Sequence, residues 1–150
     1  KPLSTTVIPT YRRPQLLKRA ILSVLDQTYQ NFQIFVCDNA SGDETAQVVA
    51  EIAKKDSRVK YYCQEKNIGY PKNFVFGMKL INTPFFSFLS DDDMLLPNFY
   101  QTTMEGFNKY PEAMFSTTGL VSVDEKKNRY IAEGLARRHL LSARWFHKTN

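Results

Sequence analysis

Residues 32–38, with the sequence Phe-Gln-Ile-Phe-Val-Cys-Asp, form an apolar run that ends on a carboxylate. The four residues from Ile34 to Cys37 are apolar without alternation. This pattern is typical of a strand that is covered on both faces, as strands are in a parallel sheet flanked by helices. The run therefore predicts a buried strand of an α/β fold, with Asp38 at its carboxyl end.

The flanking sequence continues this alternation of strands and helices. A strand over 4–9 precedes a helix that begins at Pro14, since proline suits the first helical position. Residues Ser41 to Glu44 form a capping box, which predicts the start of the next helix. Further strands are expected over 59–63, 85–89 and 113–123, and further helices over 71–81 (with Phe74, Met78 and Ile81 facing the core), 97–110 and 135–146. The alternation predicts a Rossmann-like α/β fold, with a mostly parallel central sheet flanked by helices.

The composition is that of a soluble globular domain. The chain has 150 residues, of which 43% are hydrophobic and 23% charged, values typical of one domain with a substantial core. No apolar run is long enough to span a bilayer. Cys37 and Cys63 lie in apolar stretches without metal-ligand spacing, so we expect two buried, reduced thiols in a cytoplasmic protein and no zinc site.

The net charge of +5 is concentrated at one end of the chain. Residues 125–150 contain seven Lys or Arg and two Glu, which accounts for the whole excess. A nucleic-acid binder would carry its basic residues across the fold, so we expect no nucleic-acid partner. Two interpretations of the basic segment remain open. We favour a solvated helix face; the alternative is peripheral contact with anionic lipid on the inner face of the membrane, or with an anionic acceptor.

Polar residues gather where the predicted strands end. In open parallel sheets, ligands bind beyond the carboxyl ends of the strands. The residues at these ends are Pro9, Thr10, Tyr11, Arg12 and Arg13 after the first strand, Asp38 and Asn39 after the second, Asn67, Ile68 and Gly69 after the third, and Asp91, Asp92 and Asp93 after the fourth. The pattern predicts one shared cleft.

Three consecutive carboxylates, Asp91 to Asp93, repel one another, and a divalent cation would remove that cost. Oxygen ligands suit Mg2+ or Mn2+, which commonly bridge a few carboxylates and substrate phosphates. The alternative is a solvated acidic turn. The position after a buried strand, together with Asp38 at another strand end, favours the metal interpretation.

The other cleft residues each have two interpretations. Asp38 is placed to accept a hydrogen bond from a base or a ribose, which we favour, or to cap a turn. Tyr11 could stack on a base or pack within its loop. Arg13 and Lys72 could neutralise phosphate or lie on the surface. No glycine-rich loop follows the first strand, which disfavours a dinucleotide site and a P-loop, and no Gly-x-Ser-x-Gly elbow is present.

Taken together, these motifs resemble the inverting glycosyltransferases of family 2, which have the GT-A fold. The resemblance covers about Leu3 to Tyr110. It is carried by Val7 to Arg13, Leu22 to Tyr29, Phe32 to Thr45, Asn67 to Gly69, Lys72 with Asn73, and Phe88 to Pro97.

The resemblance implies a UDP- or dTDP-type sugar donor and a bound Mg2+ or Mn2+. The implied nucleotide-sugar-binding residues are Pro9, Thr10, Tyr11, Arg13, Asp38, Lys72, Asn73, Asp91 and Asp92. Lys72 stands where the family usually has arginine. In the family's Asp-x-Asp motif the first position corresponds to Ser90 here. We therefore assign Asp92 as the principal metal ligand, Asp91 as a ribose or metal contact, and Asp93 as a supporting metal carboxylate.

The resemblance predicts metal-dependent, inverting transfer of a hexosyl or N-acetylhexosaminyl group to a hydroxyl, in cell-surface polysaccharide or glycan synthesis. The acceptor is unassigned among glycan, lipid-linked and protein acceptors, and so is the catalytic base, which the family places well downstream. We divide the chain into a donor-binding core over 1–124 and a basic segment over 125–150 that begins an acceptor-side region. Two alternatives are kept: a donor- and metal-binding module without transfer activity, and a nucleotidyltransferase that makes nucleotide sugars.

Overall fold

The computed structural model describes residues 1–119, 121–123, 129–131 and 146–148. Strands and helices alternate through its first hundred residues. In chain order the elements are β1 (Ser4–Thr10), α1 (Pro14–Leu25), β2 (Phe32–Asp38), α2 (Thr45–Ala53), β3 (Val59–Cys63), α3 (Tyr70–Lys79), β4 (Phe85–Phe88), α4 (Phe99–Lys109), β5 (Phe115–Ser116), β6 (Val121–Val123), β7 (Arg129–Ile131) and β8 (Phe146–Lys148).

The main sheet has the strand order β3-β2-β1-β4-β8-β5. Strand β1 runs parallel to β2 on one side and to β4 on the other, and β2 runs parallel to β3. Strand β8 is antiparallel to β4 and β5, and β6 pairs with β7 in a separate antiparallel ribbon. The predicted α/β fold with a mostly parallel sheet is therefore confirmed. Because the chain returns past β1 to form β4, a crevice opens between the carboxyl ends of these two strands.

The sheet is buried on both faces at its centre, as the sequence of 32–38 predicts. Every residue of β1 and β2 is buried. One face packs against α1 and α4 through a cluster that includes Leu17, Val36 and Tyr100. On the other face, Val7 and Phe35 pack with Phe76 of α3 and its neighbours. Helices on both sides therefore hold the strand ends in fixed register.

The face that α3 turns toward the sheet differs from the prediction. Met78 is exposed, and the buried residues of the helix are Asn73 and Gly77. A Cβ atom added at Gly77 would lie 2.5 Å from Cγ1 of Val7, so the helix approaches β1 too closely for a larger side chain. The predicted inward positions Phe74 and Ile81 are half-buried.

The predicted capping box at Ser41 to Glu44 is wrong. Helix α2 begins at Thr45, and its N-cap residue makes no side-chain capping bond. The carboxylate of Asp43 accepts hydrogen bonds from the Thr45 amide and hydroxyl. The Ser41 hydroxyl instead bonds to groups outside the helix, which are described with the site below.

Two further sequence predictions need correction, and a third falls almost wholly outside the described residues. The strand expected over 113–123 is two short strands, β5 and β6, that belong to different sheets. Both cysteines are free thiols, and Cys37 is buried as predicted, but Cys63 is exposed because β3 is an edge strand. The helix expected over 135–146 lies outside the described residues apart from Phe146, which is in strand β8.

The division of the chain at residue 124 stays a prediction. From the basic segment, 129–131 forms β7 and 146–148 joins the main sheet as β8; the rest of it lies outside the described residues. Within the described part of the chain, no helix has the length and apolarity that a membrane crossing requires.

Candidate functional site

A pocket of about 360 Å³ lies at the carboxyl ends of β1, β2 and β4, beside the start of α3. It occupies the crevice that the strand order creates. Its lining residues are Pro9, Thr10, Tyr11, Arg13, Asn39, Asn67, Tyr70, Asn73, Ser90 and Asp91. Six of the nine predicted nucleotide-sugar residues are therefore brought together. Asp38, Lys72 and Asp92 are not among the lining residues, although Asp92 contacts Arg13 at the pocket's edge.

The acidic loop after β4 forms one end of the pocket. Asp91 is 5% exposed, and its Oδ2 accepts a hydrogen bond of 2.8 Å from the Thr10 hydroxyl. Nη1 of Arg13 lies 3.2 Å from Oδ1 of Asp91 and 3.1 Å from Oδ2 of Asp92. Two carboxylates therefore converge on one cationic atom.

The charge state of Asp92 is set by its neighbours. The Ser90 hydroxyl donates a hydrogen bond of 2.6 Å to Oδ1 of Asp92. This bond, with a smaller contribution from the Arg13 guanidinium, holds the pKa of Asp92 below its ordinary value. Ser90 is the departure from the Asp-x-Asp motif, and its side chain thus supports the carboxylate two residues further on.

Backbone contacts hold both ends of the acidic loop. The Leu89 amide donates to the Val7 carbonyl, which continues the pairing of β4 with β1. At the far end, the Leu95 amide donates to the Ser23 hydroxyl of α1. The loop is therefore tied to the sheet and to a helix, and Asp91 and Asp92 lie between these two anchors.

The loop after β1 contains a residue with left-handed backbone. Arg12 has φ +55°, a conformation that costs a residue other than glycine about 1–2 kcal/mol. Its amide donates to the Ser41 hydroxyl at 2.8 Å, and its Nε donates to the Ser41 carbonyl at 3.0 Å. The flanking residues Tyr11 and Arg13 both line the pocket.

Asp38 lies beneath the pocket with its carboxylate turned toward the protein. It is 2% exposed. Its Oδ1 accepts hydrogen bonds from the amide and hydroxyl of Ser41, at 3.0 and 2.5 Å, and its Oδ2 accepts one of 2.5 Å from the Tyr61 hydroxyl. Burial, and then this bond to a carboxylate, raise the pKa of Tyr61. The capping interpretation of Asp38 describes these contacts, and the base contact stays a prediction.

Amide side chains form the opposite end of the pocket. Nδ2 of Asn39 donates to Oδ1 of Asn67 at 3.0 Å, and the Gly69 amide donates to the same oxygen at 2.9 Å. Asn73, predicted from the family resemblance, donates to the Cys37 carbonyl at 2.7 Å and is thereby held against β2. Lys72 beside it is exposed.

Tyr70 is a pocket residue that the sequence did not reveal. It is 66% exposed and lines the pocket at the first position of α3. A loop that follows the carboxyl end of a parallel strand faces the cleft. The aromatic residue directly after Asn67-Ile68-Gly69 was therefore the signal that could have identified it. Tyr11 and Tyr70 give the pocket lining two aromatic side chains.

The carboxylates supply part of a metal site. Among the described residues, no three His, Cys, Asp or Glu side chains form a cluster that could hold a metal ion. Asp91 and Asp92, however, already converge on a positive charge. One or two carboxylates completed by substrate phosphates and water are a common way of holding Mg2+. The residues present therefore fit a cation that binds together with a diphosphate, and the role of Asp93 stays a prediction.

Comparisons with known proteins identify the family and the fold. The family model for glycosyl transferase family 2 matches residues 5–149. A GalNAc(5)-diNAcBac-PP-undecaprenol beta-1,3-glucosyltransferase of Campylobacter jejuni is 29% identical over 97% of this chain and 47% of its own length. The chain therefore spans about half the length of that relative.

Solved structures show the same fold. S. aureus TarS, residues 1–349, in complex with UDP-GlcNAc, has a TM-score of 0.76 at 18% identity, over 97% of this chain and 45% of the TarS chain. A mannosyltransferase from Pyrobaculum calidifontis, in complex with GDP-Man and Mn2+, has a TM-score of 0.70 at 16% identity, over 80% of this chain and 36% of its own. These similarities confirm the GT-A architecture expected from the sequence.

Proposed function

Because the chain belongs to glycosyl transferase family 2, we propose that it binds a nucleotide-diphosphate sugar and contributes to the inverting transfer of that sugar to an acceptor hydroxyl. The observation that carries this proposal is the convergence of Asp91 and Asp92 on Arg13 Nη1 at one end of a pocket whose other end is aromatic and amide-lined. A nucleotide diphosphate has the matching polarity, with a planar base at one end and a charged diphosphate at the other.

The amide end of the pocket suits a base with a carbonyl oxygen. The Asn67 side-chain oxygen already accepts two N–H donors, from Asn39 and from the Gly69 backbone. Since a backbone N–H can only donate, the orientation of this amide is determined and its NH2 group remains to donate. Uracil offers such an acceptor, which supports a UDP-linked donor. Guanine also carries a carbonyl, so a GDP-linked donor is the second candidate.

The charged end of the pocket suits a diphosphate with Mg2+ or Mn2+. Asp91 and Asp92 would hold the cation, which when bound would stabilise the charge that develops on the leaving diphosphate. Thr10 and Ser90 orient the two carboxylates through their hydroxyl groups. Arg13 balances their negative charge in the free protein and lies within reach of a ligand phosphate.

We leave the catalytic base unassigned, because Asp91 and Asp92 are both committed to Arg13 and to neighbouring hydroxyls. A donor-binding module without transfer activity is therefore the principal alternative. The nucleotidyltransferase alternative loses support, since the family match extends over residues 5–149.

For the acceptor, we favour a lipid-linked glycan in surface polysaccharide or glycan synthesis, since the relative from C. jejuni is described as acting on an undecaprenol-linked one. The basic segment over 125–150 would suit contact with an anionic lipid surface or the diphosphate of such an acceptor. Binding of the chain to vesicles that contain an acidic phospholipid, with neutral vesicles as the control, tests this placement.

Calorimetric titration of UDP and UDP-sugars, with and without Mn2+, tests donor binding. We expect Mn2+ to strengthen UDP binding, and Asp92→Ala to abolish that dependence. Asp56→Ala is the matched control, because Asp56 also pairs with an arginine, Arg58, but does not line the pocket. Folded wild-type protein that binds no nucleotide diphosphate in the presence of Mn2+ would refute the proposal.

A further inference from the structure

Ser41 occupies an unusual position in the loop between β2 and α2. It is 1% exposed, and both of its neighbours have left-handed backbone, with φ +61° at Ala40 and φ +66° at Gly42. This conformation directs the polar atoms of Ser41 inward. Its amide, hydroxyl and carbonyl groups all form hydrogen bonds to groups outside α2.

The Ser41 hydroxyl connects two loops of the site. It donates to Oδ1 of Asp38 at 2.5 Å and accepts from the Arg12 amide at 2.8 Å. A hydroxyl can donate and accept at the same time, which alanine cannot do. Hydrogen bonds to a carboxylate are stronger and shorter than neutral ones. The buried charge of Asp38 therefore orients the oxygen that holds the Arg12 backbone.

Arg12 depends on this contact because its φ lies in the left-handed region. Without an acceptor for the Arg12 amide, no hydrogen bond offsets the cost of this backbone conformation. Arg12 is flanked by Tyr11 and Arg13, which both line the pocket, and Arg13 contacts Asp91 there. A change at Arg12 would therefore displace both.

We propose that Ser41 is a positioning residue for the nucleotide donor, acting through the Arg12 backbone to hold Tyr11 and Arg13 in the pocket. This inference rests on the proposed function, since it assigns those two side chains to the donor. Ser41 itself does not line the pocket, so its effect is on the arrangement of the residues that do.

The direct test is the affinity of UDP in the presence of Mn2+ for Ser41→Ala and Ser41→Thr. Small displacements of positioning groups can cost up to about a hundredfold, so we expect Ser41→Ala to raise the Kd about tenfold to a hundredfold. Ser41→Thr keeps the hydroxyl and should recover most of the affinity. Thr103→Ala is the control, because Thr103 is equally buried and its hydroxyl donates to carbonyls within α4.

A double-mutant cycle separates positioning from a general loss of stability. Asparagine tolerates left-handed backbone better than arginine does, so Arg12→Asn should lessen the effect of Ser41→Ala on the Kd. Arg12→Pro removes the other partner of the same hydrogen bond. Proline has no amide hydrogen and cannot adopt φ +55°. It should raise the Kd as Ser41→Ala does, even if Ser41→Ala itself does not fold.

Several outcomes would overturn the inference. These are an unchanged Kd in folded Ser41→Ala or in Arg12→Pro, an equal loss in Thr103→Ala, and strict additivity with Arg12→Asn. If the wild-type chain binds no nucleotide, the proposed function fails by itself. Amide hydrogen exchange of Tyr11 to Arg13 in the free protein then decides the positioning role: faster exchange in Ser41→Ala, with no change in Thr103→Ala, supports it, and unchanged exchange refutes it.

Discussion

Two carboxylate regions of this chain, one around Asp38 and one around Asp91 and Asp92, follow buried strands of the same sheet. Asp38 and Asp91 are almost equally buried, but their partners differ. The donors to Asp38 are neutral groups of Ser41, Tyr61 and Cys63, whereas Asp91 and Asp92 share the charged guanidinium of Arg13.

This difference separates a carboxylate that organises the protein from a pair at the pocket, of which Asp91 lines it and Asp92 meets Arg13 at its edge. Asp38 is surrounded by hydroxyl and amide donors, which would lose their hydrogen-bond acceptor if its carboxylate were removed. The partner of the Asp91–Asp92 pair is a long, half-exposed side chain that can move to a ligand. A strand-end aspartate is therefore a poor guide to ligand contact until its own hydrogen bonds are known.

The largest expected effect is on folding. Asp38→Ala would leave the Ser41 amide and hydroxyl and the Tyr61 hydroxyl without their acceptor, so we expect the free energy of unfolding to fall by about 3 kcal/mol. Denaturant unfolding measures this change. Asp92→Ala is the control, because the Asp92 side chain is 49% exposed and such surface substitutions usually change stability by less than about 0.5 kcal/mol. Equal losses in the two variants would erase the distinction between the regions.

A smaller effect is expected when a single donor to Asp38 is removed. Tyr61→Phe deletes one hydrogen bond to a charged group and should lower the free energy of unfolding by about 1.5 kcal/mol. The neighbouring Tyr62→Phe retains the ring contacts with Phe35 and Phe76 and should change it little. A Tyr61→Phe protein as stable as wild type would mean that Asp38 does not depend on the phenol.

We expect Arg13 to compete with a metal ion for the carboxylates of Asp91 and Asp92. Removing the guanidinium in Arg13→Ala frees both carboxylates, so Mn2+ should bind the nucleotide-free protein several-fold more tightly, as expected for one partly buried and one exposed ion pair of about 0.5 kcal/mol each. A Mn2+ titration followed by electron paramagnetic resonance measures it. Arg19→Ala removes the same charge from a residue whose contact is the Met94 sulfur and should have little effect. Weaker Mn2+ binding in Arg13→Ala would contradict the competition.

The smallest expected effect is on the pKa of Asp92. Ser90→Ala removes the hydrogen bond that favours the charged form of Asp92, so the pKa of Asp92 should rise toward its ordinary value. A lowered carboxyl pKa stabilises the fold above the ordinary pKa, and this stabilisation is lost as the pH falls through the lowered value. NMR titration of the carboxyl carbons measures the shift. Asp56, whose pKa is lowered by Arg58, serves as the internal control, and an unmoved Asp92 would contradict the role of Ser90.

Local sequence patterns predicted the central fold closely. The strands over 32–38 and 59–63 have the predicted bounds, and α1 begins at Pro14 as expected, because buried strands and proline-started helices leave strong local signals. The inward face of α3 was predicted wrongly at Met78. Apolar periodicity cannot show that a helix approaches a strand so closely that only Gly77 fits between them.

Part of the candidate site was predicted correctly from the order of the strands and helices. Strand ends in a parallel sheet point to one edge, so Pro9 to Arg13 and Asp91 could be placed together from the order of elements alone. The capping role of Ser41 was wrong because its hydroxyl donates to Asp38, three residues earlier, and accepts from the Arg12 amide in another loop. Tyr70 was missed because a single exposed aromatic residue at a helix start carries little signal.

Apolar runs, the alternation of elements and the series of motifs were enough to identify an α/β sheet and a family, and to predict the edge at which a ligand would bind. These are consequences of local periodicity and chain order. The tertiary structure decided which strand-end aspartate turns inward and which pair meets Arg13. Ser41 lies only three residues from Asp38, but the other donors come from distant parts of the chain, Tyr61 to Asp38 and Thr10 and Arg13 to Asp91, and no local pattern reveals them.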